Sequence, residues 1–429
     1  MGGAARWWLH GSLEALSKGL AARGGKLILR RGASDKVIPD FIQESGARSI
    51  SWNRCYEPAA VTRDTVVKTG LKAGGIEAES FNGALLFEPW ELRTQSGSFF
   101  KVFTPFCRTG LKMPSPRTPI PAPGNLNGHK GSLASDTLES WGLRPTKPDW
   151  AGGLREAWTP GEEAALTRLT TFHEETISEY VEDRDTPGEA GTSRLSPYLA
   201  FGEISPHQVW HYAARQEPAR GVTGFMRQIM WREFCAHLLY HAPKMPRTPL
   251  REEFASFPWR RDPSALAAWK HGQTGYPIVD AGMRELWHTG WMHNRVRMVT
   301  ASFLVKHLLI SWRSGEKWFW DTLVDADLAN NAANWQWVAG CGTDAAPYFR
   351  IFNPVLQGEK FDAGGAYVRR WVPELKNLAD AWLHKPWEAP HAELQAAGIV
   401  MGETYPLPIV DHKTARTRAL FAFAQMRSG

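Results

Sequence analysis

The spacing of apolar residues changes repeatedly over the first 110 positions. Residues 7–24 (WWLHGSLEALSKGLAARG) carry them at helical intervals, 26–32 (KLILRRG) in a short run typical of a buried strand, and 35–47 (DKVIPDFIQESGA) again helically. Residues 49–55 (SISWNRC) read as a strand, 62–75 (TRDTVVKTGLKAGG) as a helix, and 84–88 (ALLFE) as the last strand. Such alternation predicts βα units around a parallel sheet. Residues 111–160 are rich in proline and glycine and lack a period, so they predict a long connector over the surface. From 161 onward the pattern is helical. Phe225, Ile229, Met230, Phe234 and Leu238 share one stripe, and Val299, Phe303, Leu304 and Leu308 share another. The predicted organisation is an α/β domain over 1–110, a connector over 111–160 and an all-α domain over 161–429, with no internal repeat.

One stretch departs from ordinary patterning. Residues 325–350, DADLANNAANWQWVAGCGTDAAPYFR, leave almost no room for an ordinary core helix. A helix buried for stability alone would not set Asn330, Asn331 and Asn334 beside Trp335 and Trp337, because buried amides are costly without partners. Neutral hydrogen-bonding groups next to electron-rich indoles suit a large, planar, redox-active ligand such as a flavin.

The chain's 429 residues can bury a substantial core. Its net charge of +6 is compatible with a polyanionic partner without requiring one. The 21 tryptophans are the anomaly, since indoles serve as stacking surface, electron stations or core volume. Cys55, Cys107, Cys235 and Cys341 are far apart with no CxxC spacing, which argues against a zinc or iron–sulfur site and for free thiols in a reducing cytoplasm. No signal peptide, acylation motif or long apolar run is visible, so no membrane association is expected.

Two further clusters invite a ligand. In residues 191–205 (GTSRLSPYLAFGEIS), Gly191, Thr192, Ser193 and Ser196 precede an apolar helix, where a pyrophosphate could sit. A simple N-cap with a spare serine explains the motif equally well. In residues 289–298 (TGWMHNRVRM), Asn294 and Arg297 fall on one helical face with Trp291 one turn earlier, and Arg297, if buried, needs Asp325 or Asp327 as its carboxylate.

The ordered set TSRLS, WREF, TGYPIVDAGMR, GWMHNRVRM, DADLANN and WQWVAGCGTDAAPYFRIFNP, with KVFTPF at 101–106, closely resembles the photolyase/cryptochrome flavoproteins, and most of all bacterial cyclobutane pyrimidine dimer photolyases. The resemblance implies an N-terminal Rossmann-like parallel α/β antenna domain and a C-terminal helical domain that holds FAD, active as reduced FADH−. It places Tyr180, Thr192, Ser193, Leu195 and Ser196 at the phosphates, and Trp291, Asn294, Arg297, Asp325, Asp327 and Asn331 around the flavin and adenine. Asn331 corresponds to the side chain facing flavin N5, where plant-type cryptochromes resemble a carboxylic acid instead. Trp335, Trp312 and Trp259 match an electron relay to the surface. Trp231 and Trp337 match the walls of a pocket for a flipped dinucleotide in UV-damaged DNA, with Arg295, Met298 and Arg350 lining it or gripping phosphate. Arg184, Arg227 and Arg232 fit either a DNA-binding surface or ordinary solvated charge.

The implied activity is a blue-light-driven carbon–carbon lyase. One electron enters the dimer, the cyclobutane ring opens, and the electron returns, so there is no net redox change. The expected protein is a cytoplasmic monomer, with an antenna chromophore of folate or deazaflavin type in the α/β half. Two features depart from the family pattern. Gln228 stands where cyclobutane-dimer enzymes carry a glutamate, as in (6-4) photolyases, although Asn294 and Met298 stand where animal (6-4) enzymes use histidines. The family's opening strand–helix–strand is also not found before GGAARWWLHGSL, which predicts a sheet short of its first strands. A cryptochrome-like light sensor and an inactive DNA-binding relic are the rival readings. The sensor's usual sign is a C-terminal extension, and the chain ends with HKTARTRALFAFAQMRSG.

Overall fold

The structure, a computed structural model, describes residues 1–215, 217, 219–344 and 349–428. The chain divides into two compact units, one of residues 3–174 and 193–243, the other of 1–2, 175–192 and 244–429.

The first unit opens with helix α1 (Gly3–Ala21), followed by α2 (Ser34–Ser45), strand β1 (Ser49–Asn53), α3 (Pro58–Ala73), strand β2 (Glu77–Phe81) and α4 (Phe103–Gly110). β1 and β2 pair in parallel from Ser49 opposite Glu77 to Asn53 opposite Phe81, with α3 as their crossover. Ile42, Val67, Leu71 and Ala78 form the small core between sheet and helices. This is the expected βα unit, with two corrections. Residues 26–32 are not a strand: Leu29 N–H donates to Ser135 Oγ (3.0 Å) and its carbonyl accepts from Asp136 N–H (2.7 Å), so the connector takes the groups a ladder would use. Residues 84–88 are not a strand either. Leu85 N–H donates to Asn82 Oδ1, and the N–H groups of Leu86 and Phe87 donate to the Glu233 carboxylate (2.8 and 3.3 Å). The second strand is instead EAESF at 77–81, whose charged residues hide its character.

Glu233 and His237 lie on α5 (Arg220–His241), where Phe225, Ile229, Met230, Phe234 and Leu238 are all buried as their spacing predicts. His237 Nε2 accepts from Phe100 N–H (3.0 Å), so Nδ1 carries the proton and donates to Pro89 O (3.0 Å). Burial pushes the His237 imidazole down to about 4 and the Glu233 carboxyl up to about 7. Near α1, Trp8 donates to Glu203 (3.1 Å) and packs edge-on against Trp158 and Tyr198. Residues 111–135 are irregular and mostly exposed, while the rest of 111–160 includes short helical segments at Glu139–Trp141 and Gly152–Ala157.

The second unit is almost wholly helical. α6 (Pro277–Thr289) packs on α7 (Asn294–Ser302), which runs into a π-turn at Phe303–His307. Leu309 then takes a left-handed conformation (φ 53°) that turns the chain sharply toward α8 (Trp312–Thr322). α9 (Leu328–Ala339) lies against α8, and α10 (His412–Ser428) closes the chain. Val299, Phe303, Leu304 and Leu308 are all buried. Residues 325–350, expected to hold no ordinary helix, contain α9, whose buried face is built from Ala329, Ala332, Ala333, Trp335 and Ala339. Gly315 makes the α8–α9 contact possible, because a Cβ there would lie 2.1 Å from the Trp335 ring.

Two measurable consequences follow. Glu233 has a folded pKa (about 7) above its unfolded value of 4.5, so its contribution is full below pH 4.5 and lost as pH rises through 7. Glu233→Gln removes that dependence. Denaturation midpoints should show the variant gaining about 3 kcal/mol on the parent between pH 4.5 and 7.5, and a pH-independent difference would refute the buried, proton-holding carboxyl. Gly315→Ala should overpack α8 against α9 and cost about 1–3 kcal/mol. A melting temperature equal to the parent's would show that Trp335 can move aside.

Candidate functional site

In the helical unit, Arg297 is held at both ends of its guanidinium. Nε donates to Met292 O (2.7 Å) and Nη2 to Asp325 Oδ2 (2.8 Å), with the Asp325 side chain only 4% exposed. The expected carboxylate is therefore Asp325. Asp327 serves another purpose: it caps α9, its Oδ1 accepting from both Asn330 N–H and Asn330 Nδ2 at 2.7 Å. Trp291 is buried but precedes α7, which starts at Asn294 with His293 as N-cap, so it is a loop residue and not one helical turn back. Asn294 is exposed; Arg295, Arg297 and Met298 are half-buried.

Asn331 is buried on α9, and its Nδ2 donates to the backbone carbonyl of Glu316 on α8 (3.0 Å). Only the amide nitrogen can donate there, which fixes the carboxamide's orientation. Glu316, whose carboxyl burial pushes above the ordinary range, was not foreseen; nothing in its spacing marks it. Gln336 was also missed. Its side chain is fully buried and clamps residues 245–250, donating to Met245 O (2.7 Å) and Thr248 O (2.9 Å) and accepting from Leu250 N–H (2.8 Å). A glutamine between two indoles at core phase was the available signal.

The three relay candidates share this unit. Trp335 and Trp312 are each 3% exposed, and Trp259 is half-buried beside Phe257 (4.4 Å). A parallel bridge between Arg260 and Ile310 sets the Trp259 segment beside the turn into α8, where Trp312 is the first residue. Trp335 also meets Phe319 edge-on at 5.0 Å.

Tyr180 and Thr192 belong to the helical unit too. Gly191 lets that loop press on the preceding helical turn, since a Cβ there would meet Asp183 Cβ at 2.5 Å. Ser193, Leu195 and Ser196 belong to the other unit. Leu195 is buried, so only its backbone is available, and Arg194 is left-handed (φ 51°). Gln228 and Trp231 also lie in that unit, on α5. One face of Trp231 is already covered by Phe103, stacked at 3.6 Å and 8°. Arg232 donates to Ala84 O and Glu233, so it supports the fold and is not a spare surface cation. Arg295 is paired with Asp185 (2.6 Å) and lies over Phe361, while Arg350 is exposed over Phe352. Residues 345–348 of the signature stretch lie outside the described residues.

Toward a flavin, this donor set is chemically suitable. It offers an oriented neutral amide at Asn331, a compensated ion pair at Arg297 and Asp325, a buried indole at Trp291, and a loop at Gly191 drawn close enough to exclude a side chain. None of these would confront an isoalloxazine with an uncompensated charge.

Residues 225–425 match the family model described as the FAD binding domain of DNA photolyase, and residues 1–124 match the DNA photolyase model. The deoxyribodipyrimidine photo-lyase of Agrobacterium fabrum is 52% identical over 430 residues, an alignment spanning 100% of this chain and 90% of that protein. Cryptochrome-1 of Arabidopsis thaliana is 40% identical over 99% of this chain and 64% of its own length. The crystal structure of a bacterial class III photolyase from Agrobacterium tumefaciens superposes with a TM-score of 0.98 at 52% identity, covering 100% of this chain and 89% of that one. With two family models matched in the expected order and both units reproduced in a solved relative, the chain belongs to the photolyase/cryptochrome family.

Proposed function

We propose that this protein is a deoxyribodipyrimidine photo-lyase that uses blue light to split cyclobutane pyrimidine dimers in DNA. The observation that carries the choice between repair and signalling is the Asn331 carboxamide. Held by Glu316 O, it presents a neutral acceptor and no acidic proton. Bound FAD supplies the chemistry: fully reduced and excited by light, it is the one-electron donor.

The chain's own residues do the rest. Arg297 and Asp325 hold one another and present no net charge to the cofactor. Tyr180 and the Thr192–Ser196 run offer hydroxyls and backbone N–H groups suited to a pyrophosphate. On α9, residues two apart point about 200° from one another, so Trp335 and Trp337 face opposite ways, while Asn331 and Trp335, four apart, share a side. The helix then separates a cofactor side from a lesion side, with Trp337 as a stacking surface for an extruded base. Trp335, Trp312 and Trp259 carry electrons inward to regenerate the reduced state. Gln228 accepts or donates a hydrogen bond to the lesion but cannot supply an acid proton. The protein works as a cytoplasmic monomer in this reading, and among the described residues no helix is long and apolar enough to cross a membrane.

The decisive experiment is illumination of the photoreduced protein with oligonucleotides bearing a cyclobutane dimer or a (6-4) product. Loss of the dimer alone is expected; repair of neither, with flavin bound, would overturn the assignment, and repair of the (6-4) product alone would reassign the lesion. A second test concerns Arg295, which must leave Asp185 to grip phosphate. Asp185→Asn should tighten binding of the damaged oligonucleotide by up to about fivefold and add about 0.9 to the salt slope. Unchanged affinity would remove Arg295 from the DNA contact.

A further inference from the structure

The half-buried Trp259 is followed by Arg260 and Arg261, both exposed. Arg260 N–H donates to Leu309 O (2.7 Å), fixing this segment beside the π-turn that ends at His307. From α10, Arg418 reaches the same place, its Nη2 donating to His307 O (2.5 Å). Its Nε is buried with no hydrogen-bond partner among the described residues. Burial and the like charge of Arg260 both hold the Arg418 guanidinium below its ordinary range. The nearby carboxylate, Asp262, is already engaged as the cap of the following helix, accepting from Ala265 N–H (3.0 Å) and Ser264 Oγ (2.7 Å). Lys413 and Arg416 are exposed on the same first turns of α10. Like charges crowded at an exposed edge raise the local potential, and a bound anion would relieve that repulsion.

We propose that the face formed by Trp259, Arg260, Arg261 and Arg418 is the docking site for a small anionic one-electron donor. The proposal rests on the reading of Trp259 as the outer station of the relay. Once Trp259 has passed an electron inward, it is left as an indole cation radical. The docked anion gives up one electron, becomes oxidised by one unit, and returns Trp259 to the neutral indole. No proton moves and no bond forms. The arginines act by concentrating the donor, so their effect falls with ionic strength as the screening length shrinks from about 30 Å at 0.01 M to about 8 Å at 0.15 M.

The test uses ferrocyanide and, as a neutral donor, ferrocenylmethanol. After a flash on the full-length holoprotein, the tryptophan radical absorbance should be quenched by ferrocyanide at least about tenfold faster at 0.01 M than at 0.15 M salt, with no such dependence for the neutral donor. Arg260→Glu with Arg261→Glu should abolish the salt effect while leaving flavin content and neutral-donor quenching unchanged. Salt-independent quenching by ferrocyanide would overturn the proposal. A flavin-free readout separates docking from the relay. In apoprotein, the emission assigned to Trp259 by difference from Trp259→Phe should be quenched more by iodide than by caesium, and the double variant should reverse the order. Equal quenching by the two ions overturns the docking face itself. Unaltered flavin photoreduction in Trp259→Phe instead overturns the relay reading, and iodide preference in that case would mark the face as an anion site without an electron path, overturning the donor assignment.

Discussion

The ring of Trp335 lies against Gly315 with no side chain between indole and backbone, and this contact sets the separation of α8 and α9. The rest of the candidate site is measured from it. Asp327 caps the start of α9, Asn331 bonds the Glu316 carbonyl across the gap, and Gln336 fastens residues 245–250 to its last turn. The far end is held by Lys306, whose buried Nζ donates to Ala339 O (2.7 Å) above the Phe349 ring. Burial drives this amine well below its ordinary range, toward the neutral form. A neutral amine can satisfy a helix-terminal carbonyl in the core without a counter-ion, whereas an ammonium there would be costly. The amide nitrogens of Asn330, Asn331, Asn334 and Gln336 thus each donate to a fixed partner, and the helix can carry several amides without losing its place.

Other signature residues also turn out to hold the scaffold. Asp280, in the TGYPIVDAGMR segment, is fully buried and accepts from Thr274 N–H and Oγ1, Gly275 N–H and Tyr405 OH, tying the start of α6 to the chain near residue 405. In WREF, Arg232 and Glu233 hold residues 84–87 in place of a strand ladder. Buried carboxylates that accept several N–H or O–H groups fix a chain path precisely because each unmet bond would be expensive. A motif can therefore be diagnostic of a family while doing no chemistry.

That distinction explains what was legible in the sequence. Helices were, because their stripes of apolar residues are local and their burial agrees residue by residue, as at Phe225, Ile229 and Phe234. Strands were not. KLILRR and ALLFE have strand-like composition, yet their backbone groups are claimed by Ser135, Asp136 and Glu233, residues distant in sequence. EAESF pairs despite its charges, because Ala78 meets the core while Glu77, Glu79 and Phe81 are exposed. Within the site, an ion pair at Arg297 was anticipated from charge alone, with Asp325 or Asp327 as its partner, and the structure selects Asp325. Glu316 and Gln336 were missed because their importance lies in which backbone atoms they meet, and no spacing rule encodes that.

Charge is partitioned across the helical unit in a way that bears on both sides of α9. Around Asn331 the groups are neutral or mutually compensated, so a redox-active ligand there would have its potential set by hydrogen bonds more than by net charge. Cationic side chains lie outward: Arg350 is exposed, Arg295 pairs with a partly exposed Asp185, and Arg260 crowds Arg418. An interior built this way would tolerate an electron arriving or leaving with little reorganisation, while exposed cations at the rim favour anions. The two requirements conflict if cations approach the cofactor too closely. Interposing a helix whose buried face is mostly alanine and indole resolves the conflict by distance, and Gly315, by letting that helix sit close to α8, keeps the separating layer one helix thick.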